Sequence, residues 1–461
     1  MNIGIVGATG NVGRKIIEII HKKKISINNL YFVASSKSAG SVLEFGDKEI
    51  KIENLENFDF SKVDLSFFCA GKTISEKYVP LAAKHSVVID NSSFFRMDPD
   101  VPLIVPQVNK DHLKNVKKNI IANPNCSTAQ LVIVLKSLND SFKIKRVVIS
   151  TYQSTSGAGK KPMDELIDQT KSILNNKNFE SKNFTKQIAF NAIPHIDSFS
   201  DDGYTKEELK MIHETNKILG TKIDITATCV RIPVLVSHAE SVNIEFENDF
   251  TIKKVKELLN SAEGCKVVDE NSDGGYITPV EAEGKNETFI SRIRKDNSKK
   301  NALNMWIVSD NLLRGAALNA VEIRRLILKD NIIMKENNPL SPHIQIYNWH
   351  VSSLVSISHR ITGIVNYFLL IFICIWASSL FFGEGAYEIF KLFLNSVIGK
   401  FFIISLIWSY TFQILSEVRH WFWDIGLGFE LKTTKITGLL VIFGSFLLTI
   451  LIYSSRGFLQ L

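Results

Sequence analysis

Cys126 stands in Asn123-Pro124-Asn125-Cys126-Ser127-Thr128, between the apolar runs Ile120-Ile121-Ala122 and Ala129 to Leu135. A proline flanked by asparagines reads as a tight turn, and Ser127 and Thr128 are natural caps for a helix over 129–135. The thiol is therefore expected at a helix N-terminus, where free amides and the macrodipole favour the nucleophilic thiolate. Residue type alone favours a small buried hydrophobe instead. Two further groups extend the chemical reading. His238 taken alone is better read as a satisfied structural histidine, although its ordinary pKa would suit proton transfer near neutral pH. Arg96 lies in the polar loop Asn91 to Asp100, where its planar fork suits a phosphate or carboxylate; a solvated loop is the plain alternative.

These groups need a scaffold. Asn2-Ile3-Gly4-Ile5-Val6 predicts a buried strand running into Gly7-Ala8-Thr9-Gly10-Asn11-Val12-Gly13 and an amphipathic helix from Arg14 to His21. Glycines in such a turn let backbone approach a pyrophosphate, which the helix N-terminus attracts, so a dinucleotide is expected here. The spacing is GxxGxxG rather than GxGxxG. The next strand, Leu30 to Ala34, ends in Ser35-Ser36-Lys37-Ser38 with no acidic residue to hold a ribose 2′-hydroxyl. Hydroxyls and a lysine suit a 2′-phosphate, so NADP(H) is the expected cofactor. Further apolar runs at Leu65 to Ala70, Val87 to Asp90 and Leu103 to Val105 alternate with helical stretches, as a parallel doubly wound sheet requires, and Val147 to Gln153 reads as a strand after Cys126. A second glycine-rich segment, Ser154-Thr155-Ser156-Gly157-Ala158-Gly159, is placed to close over the cofactor's nicotinamide end.

Two compositions divide the 461 residues: mixed charged and apolar residues up to about 330, then long apolar runs after about 350. The net charge of +7 comes from scattered lysines among Glu and Asp, without a basic stripe interleaved with aromatics, which argues against nucleic acid. Five irregularly spaced cysteines, with no CxxC pair, fit reduced thiols rather than disulfides or a zinc site. No basic region followed by a short apolar core opens the chain, so no cleaved signal peptide is expected.

The two glycine loops and the cysteine turn, in this order, resemble the aspartate-semialdehyde dehydrogenase family. Further matches run through residue 330: Phe190 to Pro194, Glu207 to Lys210, Arg231 to Val234 with His238 to Ser241, and Trp306 to Ala317. Several motifs in order are more specific than one. The resemblance implies that Cys126 attacks the acyl phosphate of L-aspartyl 4-phosphate, leaving a thioester that NADPH reduces to the semialdehyde, with phosphate released. It implies catalytic roles for His238 as acid/base and Gln153, and substrate contacts from Asn125, Glu207 (amino group), Arg231 (carboxylate), and Arg96 and Lys210 (phosphate). It places the cofactor on Gly7, Thr9, Gly10, Asn11, Val12, Gly13, Ser35 to Ser38, Ser156, Gly157 and Asn311. Lys37 stands where many relatives carry Arg, a conservative departure. A homodimer and lysine, threonine and methionine biosynthesis follow from the same resemblance.

After the helix expected from Leu312 to Leu328 comes Met334, which looks like a former start, with no Gly/Ser or Pro-rich linker. Apolar spans at about 361–382, 401–422 and 436–453, with Trp and Tyr near their ends, each approach the roughly 20 residues that cross a bilayer. A cytoplasmic enzyme puts Arg360, Arg419, Lys432 and Lys435 inside and Lys391, Lys400 and Arg456 outside, a weak positive-inside bias. Pro339 to Tyr347, Ser356 to Gly363 and Arg419 to Gly426 resemble the cytochrome b subunit of succinate dehydrogenase over residues 337–461. That resemblance implies a multi-pass protein of the cytoplasmic membrane. It implies ubiquinone binding by Ser356 and Arg360, and partnership with iron–sulfur and second anchor subunits. Heme b is left open, because the usual axial histidine is Gln413; His359 and His420 are then the candidate heme contacts.

The expected architecture is an α/β Rossmann-like NADP domain (1–128, completed by about 310–330) with an inserted α+β catalytic and dimerisation domain (129–309). A junction (331–350) and an all-α three-helix transmembrane anchor (351–461) follow. Other readings stay open. One is a reductase of another acyl phosphate such as N-acetylglutamyl phosphate, although Glu207 with Arg231 suits a free amino acid. Others are an anchor carrying an inactive soluble domain, or two neighbouring genes joined by a lost stop codon or a sequence error.

Overall fold

The computed structural model describes residues 1–329 and 350–455, in two compact units, one N-terminal and one C-terminal. Met334, the Pro339 to Tyr347 motif, nearly all of the expected junction and Arg456 lie outside the described residues.

The N-terminal unit begins with β1 (Ile3–Val6), α1 (Asn11–Lys22), β2 (Leu30–Ala34), β3 (Val42–Phe45), β4 (Lys48–Asn54), β5 (Leu65–Phe68), α2 (Lys72–Ala82), β6 (Val87–Asp90), α3 (Pro106–Asn109) and β7 (Ile120–Ala122). They form one sheet in the order β3-β4-β2-β1-β5-β6-β7. All pairings are parallel except the β3–β4 hairpin. β1, β5, β6 and β7 are buried at every position, as strands covered on both faces must be. The order reverses around β1, whose neighbours are β2 and β5, and such a switch point opens a crevice at the carboxyl edge of the sheet. Leu103–Val105 is not a strand: only Leu103 bridges Ala122. Pro102 and Pro106 bracket this run and have no N–H to extend a ladder.

The chain continues through α4 (Cys126–Phe142), β8 (Ile144–Gln153), α5 (Lys160–Leu174), α6 (Lys206–Leu219), β9 (Asp224–Arg231), β10 (His238–Phe246), α7 (Ile252–Ser261), β11 (Cys265–Val267), α8 (Pro279–Ala282), β12 (Thr288–Lys295) and β13 (Ala302–Ser309). A second sheet runs β11-β12-β13-β10-β8-β9. Leu131, Val134, Leu135 and Leu138 of α4 are fully buried in one cluster with Val147 and Ile149 of β8 and Val242 of β10. Each such side chain contributes about 1.5–3 kcal/mol, as an upper estimate. The helix expected from Leu312 instead opens as a π-turn, Leu313–Ala317, before α9 (Leu318–Lys329). Asp310 accounts for the difference, because its Oδ1 accepts from the amides of Leu312 and Leu313. Leu318, Ile323 and Ile327 of α9 then share a core with Ile16 and Ile20 of α1.

The C-terminal unit contains α10 (Val351–Phe381), α11 (Glu384–Asn395), α12 (Val397–Asp424) and α13 (Leu431–Ser454). α10, α12 and α13 are long and apolar enough to cross a membrane. α10 starts ten residues before the expected span because its first turns carry Ser352, Ser353, Ser356, His359 and Arg360, which helix geometry accepts and a hydropathy pattern ignores. α11 is amphipathic, with Glu384, Glu388 and Lys391 among Ile389, Phe390 and Phe393, and was not expected. Small polar groups join the long helices: Ser409 Oγ donates to Thr362 O at 2.9 Å, and the Thr411 and Thr449 hydroxyls meet at 3.1 Å. Leu440, Phe443, Leu447 and Tyr367 face outward, as a lipid-facing surface requires.

Candidate active site and membrane cavity

β7 delivers Cys126 to the carboxyl edge of the first sheet, at the first turn of α4. Asn125 caps that helix, its Oδ1 accepting from the amides of Ser127 (2.9 Å) and Thr128 (3.4 Å). Gly315 packs against the cysteine so closely that a Cβ there would stand 2.7 Å from Cys126 Cβ and 3.0 Å from its Cα. The second sheet brings three strand ends into one row. Gln153 closes β8, opposite Arg231 at the end of β9 and His238 at the start of β10.

α6 links the two edges. Glu207 Oε1 accepts from Asn125 Nδ2 at 2.8 Å and from Gln153 Nε2 at 3.3 Å, while its Oε2 pairs with Lys210 at 3.1 Å. Lys210 also pairs with Asp197 at 2.8 Å. Seven residues along the same helix face, Glu214 accepts from the Asn125 amide (2.7 Å) and pairs with Arg96 (3.0 Å). Arg96 further donates to the carbonyls of Asn123 and Asn91, both at 2.9 Å. Glu214 was not singled out from the sequence, although its i, i+7 spacing from Glu207 was the available signal. A Thr205–Glu208 capping box starts α6, and Glu208 Oε1 accepts from the Cys229 amide of β9 at 3.0 Å.

The electrostatics correct one expectation. Cys126 is not a resting thiolate: burial and then the Glu207 carboxylate push its pKa up to about 12, against the pull of Arg96 and Arg231. The helix N-terminus does not outweigh desolvation. Burial also drives His238 down to about 3, helped by Arg231. Its Nδ1 accepts from the Ser154 amide at 3.1 Å, so the neutral ring carries its proton on Nε2. That nitrogen is buried and has no hydrogen-bond partner. Gly157 closes over it, since a Cβ there would lie 3.1 Å from Nε2 and 3.3 Å from Arg231 Nη1. Burial raises Glu207, but Lys210, the Asn125 hydrogen bond and Arg231 together hold it below the usual carboxylate value. Lys210 is raised because Glu207 and Asp197 outweigh its burial.

The first glycine loop stands at the β1 switch point. Gly7 has φ +82°, and a Cβ there would lie 2.7 Å from Cys69 O; one on Gly13 would overlap Gly7 O. Thr9, Gly10, Asn11 and Val12 fill the turn and the first residues of α1. Ser35, Ser36 and Lys37 are exposed beyond β2, with Ser38 half-buried, and Gly7 N bonds Val33 O at 2.8 Å, tying the loop to that strand. Three strand spacings separate β1 from β7, about 14 Å, so one sheet edge carries both loop and cysteine. Asn311 acts inside the protein: its Oδ1 accepts from Ser156 Oγ (3.0 Å), Ser154 Oγ (3.3 Å) and the Ser237 amide (2.9 Å), fixing the second glycine segment and the start of β10.

In the C-terminal unit, Ser356, His359 and Arg360 of α10 line a cavity of about 150 Å³ with Arg419 and His420 of α12. Gln413, at the position expected for an axial heme ligand, donates its amide to the His359 carbonyl and to Thr362 Oγ1 (2.9 Å). Its side chain joins α12 to α10, and a carboxamide so held does not fit heme ligation.

Family models match residues 2–116 as a semialdehyde dehydrogenase NAD binding domain and 135–314 as a semialdehyde dehydrogenase dimerisation domain. A third matches 334–452 as a succinate dehydrogenase/fumarate reductase transmembrane subunit. The aspartate-semialdehyde dehydrogenase of Rickettsia typhi is 49% identical over 331 residues, 71% of this chain and 98% of that protein. The crystal structure of aspartate semialdehyde dehydrogenase II from Vibrio cholerae, complexed with ASA, is 42% identical with a TM-score of 0.70, over 71% of this chain and 98% of that one. A Candida albicans enzyme crystallised with NADP is 25% identical with a TM-score of 0.56, over 72% and 99%. The chain thus belongs, through its N-terminal unit, to the aspartate-semialdehyde dehydrogenase family, and it carries in the same polypeptide a membrane domain of the succinate dehydrogenase/fumarate reductase transmembrane-subunit family.

Proposed function

We propose that the N-terminal unit reduces L-aspartyl 4-phosphate to L-aspartate 4-semialdehyde through a thioester on Cys126, with NADPH as reductant. The observation that carries this reading is Cys126 at the start of α4, joined through Glu207 to a row containing Gln153, Arg231 and a neutral His238 with an unpartnered Nε2. As the Cys126 sulfur attacks the acyl carbon, the carbon–oxygen bond breaks, phosphate leaves with the electron pair, and the thiol proton passes to the departing phosphate. Arg96 retains two guanidinium N–H groups and Lys210 one ammonium proton beyond their internal partners, enough to receive that phosphate. A dinucleotide held by the glycine loop would supply the hydride that reduces the thioester carbon. As negative charge gathers on the carbonyl oxygen, His238 Nε2–H donates to it; the carbon–sulfur bond then breaks and the thiolate released at Cys126 takes a proton from solvent.

Glu207 pairs with the substrate ammonium and Arg231 with its carboxylate. A carboxylate kept ionised while buried favours a charged amine, which an N-acetylated substrate lacks. Ser35, Ser36, Lys37 and Ser38 hold the 2′-phosphate, so NADPH is used in preference to NADH. The unit works as a homodimer in biosynthesis of lysine, threonine and methionine. The C-terminal unit holds ubiquinone at Ser356 and Arg360 as a membrane anchor for succinate dehydrogenase's iron–sulfur and second anchor subunits, with the enzyme on the cytoplasmic side. Cys126→Ala is expected to abolish phosphate-dependent NADPH formation from aspartate semialdehyde while leaving membrane insertion intact. Retained turnover removes Cys126 from its role.

A further inference from the structure

His359 of α10 meets Glu417 and His420 of α12 in a cluster that the quinone reading does not use. His359 Nε2 lies 3.1 Å from Glu417 Oε1, and His420 Nδ1 lies 3.9 Å from Glu417 Oε2. One ligand atom from each residue falls within 4.8 Å of the other two. The imidazoles meet edge to face, with centroids 5.2 Å apart and planes at 82°, so both converge on the carboxylate without stacking on each other. Ligand atoms around a tetrahedral ion with bonds of about 2.1 Å stand about 3.4 Å apart. Closing the cluster takes a contraction of at most about 1.4 Å, which side chains 26%, 53% and 38% exposed can make by small rotations.

Three features favour an ion over a plain hydrogen-bonded group. Glu417 and His420 stand at i and i+3, a spacing that presents a carboxylate and an imidazole together from one helix. The neighbouring cation is turned away: Arg419 donates to Thr437 Oγ1 (3.1 Å) and Thr434 O (3.0 Å) and lies over Trp423, 4.1 Å from the ring centroid. Among the described residues Glu417 has no Lys or Arg partner, and Arg360 is the one further cation lining the same cavity. Water also reaches the site. The 31 residues of α10 span about 46 Å against a hydrocarbon core of about 30 Å, and His359 lies about 12 Å from the helix start, with His420 four residues from the end of α12. The cluster therefore sits at headgroup depth.

We propose that His359, Glu417 and His420 bind one divalent transition-metal ion of the zinc class, clamping α10 to α12 and leaving a coordination position for water. Imidazole and carboxylate ligands suit this class and not a hard, oxygen-seeking cation such as magnesium. The probe is cobalt(II), titrated into the chelator-stripped full-length chain in nanodiscs, with zinc(II) competition and the visible d–d band as readouts. The expected result is one equivalent bound with a four- or five-coordinate d–d spectrum, displaced by zinc(II) and not by magnesium(II). Glu417→Gln and His420→Gln weaken it at least about tenfold, with unchanged helical circular dichroism and thermal unfolding of the nanodisc-embedded chain reporting a folded membrane unit. Glu417→His supplies a third imidazole and is expected to restore binding with an altered spectrum. Binding that survives Glu417→Gln and His420→Gln at full stoichiometry, or a wild-type chain with no d–d band, overturns the proposal.

Discussion

Glu207→Gln tests the electrostatics of the nucleophile directly. Two effects of opposite sign act on Cys126: the start of α4 favours the thiolate, while burial and Glu207 oppose it and prevail, with a pKa pushed up to about 12. A free thiol near 8.5 lies about 3.5 units lower, so at pH below 8 the resting enzyme holds about 3,000-fold less thiolate. High-pKa thiolates are intrinsically better nucleophiles, with a Brønsted slope near 0.45, which returns about 40-fold. Net alkylation of Cys126 by iodoacetamide should therefore run about 100-fold slower than that of a model peptide. The carboxamide introduced by Glu207→Gln keeps an Oε1 acceptor for Asn125 and Gln153 and removes the charge. A downward shift of about one unit gives tenfold more thiolate, and the same slope reduces the gain to about threefold faster alkylation. Quantitative mass spectrometry of the Cys126 peptide reads this separately from Cys69, Cys229, Cys265 and Cys374. A wild-type rate above that of the model peptide, or slower labelling of Glu207→Gln, refutes the reasoning.

Burial gives His238 a folded pKa of about 3 against 6.5 unfolded, so below pH 6.5 the unfolded chain binds the extra proton and stability falls as pH falls. The loss approaches about 1.4 kcal/mol per pH unit and reaches roughly 3–5 kcal/mol near pH 3; hydrogen exchange of β8 and β10 amides should show this slope in the wild type and a flatter one in His238→Gln. Glu240 behaves oppositely, because burial, with no hydrogen-bond partner on either carboxylate oxygen, holds its carboxyl well above the usual value. Its folded form keeps the proton, stability is lost as pH rises from about 4.5, and Glu240→Gln should gain protection at pH 8 relative to pH 5. Gly315→Ala places a methyl 2.7 Å from Cys126 Cβ; about 1–3 kcal/mol of destabilisation is expected, with kcat falling far more than KM rises, and unaltered kcat shows that the cysteine does not depend on this contact.

Much of the N-terminal unit was legible because its signals are local. β2 and β6 occupy the expected residues, Leu30–Ala34 and Val87–Asp90, since buried parallel strands are continuous apolar runs bounded by turns. β3 and β4 were not expected because they form an edge hairpin of alternating charged and apolar residues without a fully buried face. The turn before α4 followed from residue chemistry, but its cap is Asn125 and not the expected Ser127 or Thr128, which lie inside the helix, and the protonation of Cys126 was not legible either. Desolvation depends on what the fold brings over the thiol, and no spacing along the chain reports that. Glu214 was missed for the same reason: its partners, Asn125 and Arg96, are 89 and 118 residues away. In the membrane unit the spans were visible from hydropathy, whereas the beginning of α10 was hidden by serines and by the His359-Arg360 pair.

The arrangement of the active site explains why α6 carries so much of it. Gln153, Arg231 and His238 are held together by strand register, and a slip of one residue between β8 and β10 would turn His238 to the opposite face. Cys126 opens α4 at the edge of the other sheet and shares no ladder with them. The side-chain amides of Asn125 and Gln153 both donate to Glu207 on a single helix, whose start is fixed by the Thr205–Glu208 box and whose face is fixed to β9 through the Cys229 amide. Glu214, two turns further on, fixes the Asn125 backbone itself. The distance between the thiol and the histidine row is therefore governed by the placement of α6. A carboxylate at 207 both positions the two edges and holds the thiol protonated, and a substrate ammonium that neutralises it acts on both at once: the charge opposing the thiolate is cancelled only when the substrate is in place.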